Sequence, residues 1–132
     1  MISTKGRYAL RVMLDLAENS GDEESIPLRD IAERQQISKK YLEAIMKDLV
    51  KGKLVKGNSG KGGGYRLCRH PDEYTVGEIL ALTEASLASV ACLSADADAC
   101  PRASCCKTLP MWIELDRTVH DFLNSKKLSD LL

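Results

Sequence analysis

Ile37-Ser38-Lys39-Lys40-Tyr41-Leu42-Glu43-Ala44-Ile45-Met46-Lys47-Asp48-Leu49-Val50-Lys51, followed closely by Gly57-Asn58-Ser59-Gly60-Lys61-Gly62-Gly63-Gly64, decides the architecture. Ser38 stands where a helix N-cap belongs, and Leu42, Ile45, Met46, Leu49 and Val50 give Lys39–Lys51 a single apolar face. Upstream, Pro27 opens a shorter helix over Leu28–Arg34, and Gln36-Ile37-Ser38 is the break between the two. Two short helices across a tight turn, the second better capped and more basic, form a helix-turn-helix pattern, although Gln36 occupies the turn where many such motifs carry glycine. Leu54-Val55-Lys56 and Tyr65-Arg66-Leu67 read as strands flanking the glycine-rich segment, so the pair predicts a β-hairpin wing with a flexible basic tip.

Working outward, Thr4–Asn19 carries a wide apolar stripe (Ala9, Leu10, Val12, Met13, Leu14, Leu16 and Ala17), with charge left at Arg7, Arg11, Asp15 and Glu18. A polar loop, Ser20–Ser25, follows it. Thr75-x-x-Glu78 predicts a capping box opening a helix over Val76, Ile79, Leu80, Leu82 and Thr83. Periodicity then lapses from about Ser89 to Thr108, a stretch too long for an ordinary connector. A last helix, Leu109–Leu123, carries Trp112, Ile113, Leu115, Val119, Phe122 and Leu123, a stripe suited to a dimer interface. The expected fold is mainly α with a small β wing. Residues 1–74 form the winged helix-turn-helix and residues 75–132 the cysteine loop and long C-terminal dimerisation helix, together one integrated domain.

The formal net charge of zero conceals a division. From Arg34 to Arg69 there are ten Lys or Arg against two acids, whereas from Pro71 onward five basic residues face ten acidic ones. A basic block confined to one stretch is the footprint of a polyanion. Ser38, Lys39, Lys40 and Tyr41 fall in the first turn of the second helix, the part that enters a major groove. Glu43 either accepts from a cytosine amine or makes an i,i+4 surface pair with Lys47. Lys61 at the wing tip can meet a phosphate. The wing lacks the GxxxxGK[ST] spacing and the βαβ setting of a nucleotide loop.

Of the five cysteines, three lie in the aperiodic loop as Cys92-x7-Cys100-x5-Cys106. Thiolates hold zinc or iron–sulfur clusters, and a loop can converge three of them without the demands of helix geometry. Paired C-x2-C spacings, which favour zinc, are absent; the wide gaps suit a cluster better. Cys105 beside Cys106 stands as a fourth ligand, a redox partner or a spectator. Cys68 reads as structural, and His70 and His120 as surface or packing residues. No nucleophile is paired with a base, so no enzyme is expected. There is neither a signal-peptide pattern nor an apolar run of membrane-spanning length, which points to the cytoplasm.

Thr4-Lys5-Gly6-Arg7-Tyr8-Ala9-Leu10-Arg11-Val12-Met13-Leu14-Asp15-Leu16-Ala17, Ile31-Ala32-Glu33-Arg34 with Ile37-Ser38-x-x-Tyr41-Leu42-Glu43, Gly62-Gly63-Gly64-Tyr65-Arg66-Leu67, Val76-Gly77-Glu78-Ile79 and the cysteine loop running into Trp112 together resemble the Rrf-two family of winged-helix transcription factors. The resemblance spans essentially the whole chain and is strongest to its IscR and NsrR group of iron–sulfur regulators, the IscR type above all. It implies a homodimer with crossing C-terminal helices and a double-stranded DNA operator of two-fold symmetry. Ser38, Lys40, Tyr41 and Glu43 then lie near bases, and Ser59 and Lys61 near the phosphates at the wing. It also implies a two-iron two-sulfur cluster on Cys92, Cys100 and Cys106.

Two positions and one spacing depart from that pattern. Leu109 stands where IscR-type relatives carry a histidine, Tyr8 where NsrR-like ones carry an acid, and the x7 gap is longer than usual. The fourth ligand is therefore open among Cys105, a carboxylate and a group from a partner subunit. The function expected is a DNA-binding repressor sensing iron–sulfur status or oxidative and nitrosative stress, with no small-molecule substrate. Two alternatives stand beside it: a cluster-free regulator controlled by a protein partner, and one working through thiol oxidation or zinc.

Overall fold

The computed structural model describes residues 2–20, 24–94 and 97–132; half of the polar Ser20–Ser25 loop and two residues of the cysteine loop lie outside them. The helices are α1 (Thr4–Asn19), α2 (Leu28–Gln35), α3 (Lys39–Lys51), α4 (Val76–Thr83) and α5 (Leu109–Ser125). The strands are β1 (Val55–Asn58) and β2 (Gly64–Leu67), so the chain is mainly helical with a two-stranded wing, as the sequence expects.

Helix α1 is the central post. Ala9, Val12, Met13 and Leu16, spaced i, i+3, i+4, i+7, are fully buried against residues of α2, α3, the wing base and α4. Asp15 corrects the reading that leaves it among the charges outside the stripe, because it is only 1% exposed. Its carboxylate accepts from Arg34 Nε (3.0 Å), Arg34 Nη2 (2.7 Å) and Gln35 Nε2 (2.9 Å), so α1 and α2 are joined by a bidentate ion pair. Periodicity sees one helix at a time and could not reveal that a cation from the next helix satisfies this acid.

The turn between α2 and α3 is made by Gln36 in the left-handed conformation (φ 53°, ψ 46°). A side chain with a Cβ is held there at a steric cost that glycine avoids. Gln36→Gly is therefore expected to stabilise the fold by about 0.5–1 kcal/mol, net of the extra unfolded-state entropy of glycine. Thermal unfolding followed by circular dichroism checks this. A lowered midpoint would mean that the Gln36 side chain contributes more than its backbone costs.

In the wing, Val55 pairs with Leu67 and Asn58 with Gly64 in antiparallel register. A third, single-residue rung was not anticipated: Ile26 and Tyr65 exchange N–H···O bonds of 2.8 and 2.9 Å. Gly64 (φ +148°) lies so close to this rung that a Cβ would fall 2.2 Å from the Ile26 carbonyl oxygen, which makes glycine obligatory there.

Only half of the expected capping box forms. Thr75 Oγ1 accepts from the Glu78 N–H (3.0 Å), but the Glu78 carboxylate is taken by Arg69 Nη2 at 2.6 Å instead of reaching back to Thr75. The stronger, charge-assisted partner wins. Helix α4 packs on α1 and α3, and α5 on α4, where Leu123 and Val119 meet Val76 and Leu80. Among the described residues, no helix is long and apolar enough to cross a membrane.

Candidate nucleic-acid interface and cysteine loop

The first turn of α3 is built for presentation. Ser38 caps it by accepting from the Tyr41 N–H at 3.2 Å, and Ser38, Lys39, Lys40, Tyr41, Glu43 and Lys47 are all exposed while Leu42, Ile45, Met46 and Leu49 anchor the opposite face. Among the described residues no ion pair joins Glu43 to Lys47; Asp48 pairs with Lys5 at 2.5 Å and ties α3 to α1. Among the described residues the Glu43 carboxylate is thus left on the exposed face without a cation partner.

Tyr41 is held by a neighbour whose positioning role the sequence did not suggest. The Tyr8 ring meets it edge-on, with centroids 5.8 Å apart and planes at 88°, and the Arg11 guanidinium lies 5.0 Å from the centre of the Tyr8 ring. The one available signal was the i,i+3 spacing of Tyr8 and Arg11 on α1. At the wing tip Ser59 and Lys61 are exposed, and Asn58 Nδ2, at the tip end of β1, donates to Ser25 Oγ at 2.7 Å, fixing that end of the hairpin to the segment before α2.

The segment from Ser89 to Thr108 is not featureless. Ala91–Leu93 form a 3-10 turn, and the Ala103 N–H bonds the Cys100 carbonyl (3.1 Å) as the Cys105 N–H bonds that of Arg102 (3.0 Å). Asp116 Oδ1 accepts from the Ser89 N–H at 2.8 Å, pinning the start of the segment to α5. Cys92 and Cys105 are exposed, Cys100 and Cys106 half-buried, and all carry free thiols; Cys68, at the end of β2, is half-buried. Among the described residues no three potential metal donors come together.

The donor set nonetheless fits an iron–sulfur cluster in kind. It offers three soft thiols on one accessible loop. A hydrogen bond from Thr108, whose hydroxyl lies 3.4 Å from Cys106 Sγ, is the largest influence pulling the Cys106 thiol below its ordinary range, toward the thiolate that metals bind.

A helix-turn-helix with a glycine-rich wing at one end and a thiol-bearing loop at the other defines a winged-helix regulator. Residues 2–132 match the Rrf2 family, "Iron-dependent Transcriptional regulator", and the chain belongs to that family. It is 37% identical to the HTH-type transcriptional regulator IscR of Aliivibrio salmonicida over 99% of its own length and 76% of that protein's. Among solved structures it is similar to CymR, the global cysteine regulator of B. subtilis (TM-score 0.78, 36% identity, 99% of this chain and 95% of that one). It also resembles T. potens IscR (TM-score 0.74, 34% identity, 99% and 85%). The chain is thus a DNA-binding transcriptional regulator and not an enzyme.

Proposed function

We propose that this chain is a repressor that senses iron–sulfur status, or oxidative and nitrosative stress, through a two-iron two-sulfur cluster on Cys92, Cys100 and Cys106. The observation that carries the reading is the placement of those three thiols on a single loop, pinned to α5 at its start by the Ser89–Asp116 hydrogen bond and running directly into that helix at its end. When bound there, the group supplies a redox-active, oxidant-labile centre.

The chain's own residues couple that loop to DNA. Ser89 is held by Asp116, and Cys106 lies against Thr108 at the start of α5, so drawing the thiols together pulls the loop against this helix. Helix α5 rests on α4, and α4 on α1 and α3, so a shift of α5 changes how Ser38, Lys39, Lys40, Tyr41, Glu43 and Lys47 are presented. The coupling need be only about 1–3 kcal/mol to alter occupancy roughly 5–150-fold.

Met111, Leu115 and Phe122 are large apolar side chains exposed along one side of α5. That side suits pairing with a second copy, and the dimer would set two recognition helices and two wings on a two-fold operator, with Ser59 and Lys61 at the backbone.

A second reading, a cluster-free regulator acting through a protein partner, thiol oxidation or zinc, draws on the separation of the thiols among the described residues and on the similarity to CymR. The deciding experiment is an anaerobic ultraviolet–visible spectrum with iron and sulfide analysis on freshly purified protein. A charge-transfer band with equal iron and sulfide is expected. Colourless protein that resists reconstitution would transfer the case to the second reading.

A further inference from the structure

Between the wing and the start of α2 runs an open groove of about 470 Å³, with Arg29 and Lys39 on its walls and the backbone of Gly60 and Gly62 along its edge. No acidic side chain lines it among the described residues. A Cβ built on Gly60 or Gly62 meets nothing within 4 Å, so the wing edge is open on this side. The Arg29 side chain is 83% exposed and engaged only loosely, its Nε lying 3.8 Å from Asp30.

The shape of a DNA duplex gives this groove a meaning. The sugar–phosphate strand is the ridge that separates the major groove from the minor groove. A protein that lays the first turn of α3 in one and a hairpin tip in the other must straddle that ridge, and the ridge must occupy the gap between them. The groove lies in that gap, bordered by Lys39 of α3 on one side and by the wing on the other. Its cationic walls match the ridge in charge, and the planar fork of arginine matches phosphate in geometry.

We propose that this groove seats one sugar–phosphate strand of double-stranded DNA, with Arg29 as a phosphate contact outside both the recognition helix and the wing. The inference rests on the DNA-binding reading and adds a residue to it. Such a contact positions the protein without reading sequence, so its loss weakens binding to every duplex alike.

The test is fluorescence anisotropy with a labelled 30-base-pair duplex of arbitrary sequence, and a second of unrelated sequence, between about 50 and 200 mM salt, a range over which phosphate contacts are lost steeply. Arg29→Ala is expected to lower the slope of log K against log salt by about 0.9 per protomer, about 1.8 for the dimer, so that the wild-type advantage shrinks roughly 12-fold across that range. Arg29→Lys, which keeps the charge, is expected to keep the slope. Because the side chain is exposed, the circular dichroism of both variants should match the wild type. An unchanged slope in Arg29→Ala, or a loss confined to one sequence, overturns the backbone seat while leaving DNA binding intact. Wild-type protein that binds neither duplex at low salt would overturn the DNA-binding reading itself, and the seat with it.

Discussion

Tyr74→Ala is expected to lower the stability of the fold by about 4–8 kcal/mol. The Tyr74 side chain is fully buried in the main core, and its hydroxyl is a junction for three backbone groups on two segments. It donates to the Leu54 carbonyl at 2.6 Å and accepts from the N–H groups of Cys68 and Arg69 at 3.0 Å each. Both ends of the wing are therefore fastened to one oxygen. The Arg69 guanidinium lies 4.3 Å from the centre of the ring and pairs with Glu78 on α4. Removing a buried aromatic ring costs about 3–5 kcal/mol, and the Arg69 N–H orphaned beside it adds about 1–3 kcal/mol, whereas the Cys68 N–H and the Leu54 carbonyl keep each other at 3.2 Å. Against a total of about 5–15 kcal/mol for a small domain, that is a large share of the stability. A urea titration followed by circular dichroism measures it, and a variant with the wild-type midpoint would refute the hub.

Tyr74→Phe separates the ring from the hydroxyl and should cost only about 1–3 kcal/mol. It also carries a pH signature. Burial, the largest influence, pushes the Tyr74 hydroxyl above the ordinary tyrosine value of 10.0. The folded chain then keeps this proton at a pH where the unfolded chain has lost it. The associated stability is fully present below the unfolded value and is lost as pH rises through the folded one. The phenylalanine variant, lacking the group, should lose less stability than the wild type as pH is raised past about 10. Equal alkaline losses in the two proteins would remove Tyr74 from the explanation.

Cys92→Ala and Cys106→Ala are each expected to abolish cluster binding, bringing iron and sulfide to background while the far-ultraviolet spectrum stays that of the wild type. The fold should survive because neither thiol belongs to the buried core: Cys92 is exposed and Cys106 half-buried in a loop that contributes little apolar packing. Cys68→Ala serves as an internal comparison and should retain full loading, since Cys68 ends the wing strand away from that loop in sequence. Cys105→Ala tests the open fourth position directly, by loss or retention of the wild-type spectrum. Stoichiometric iron and sulfide in both the Cys92 and Cys106 variants would sink the ligand assignment.

The elements that could be read from sequence are those whose signal is local. The stripe Ala9, Val12, Met13, Leu16 announces a helix and its buried face through spacing alone, as does the Leu42, Ile45, Met46, Leu49 stripe behind an N-capping Ser38. Glycines between two β-prone runs announce the hairpin, and the basic block running from α2 through the wing is a matter of composition. The Cys92, Cys100, Cys106 spacing is likewise covalent order, visible without any fold.

What required tertiary structure is the choice of partner. Asp15 looked like one more surface charge until α2 brought Arg34 and Gln35 to it. Glu78 looked like half of a capping box until Arg69 claimed it, and Ile26 had no reason to be a strand residue before Tyr65 lay beside it. Side-chain spacing fixes which face of an element turns inward, whereas the pairings across that face depend on groups far apart in sequence that compete for the same atom. The cysteine loop is the remaining case. Its described residues bury little apolar surface and bring no three metal donors together, so on the function proposed above the convergence of the three thiols would fall to the cluster they bind.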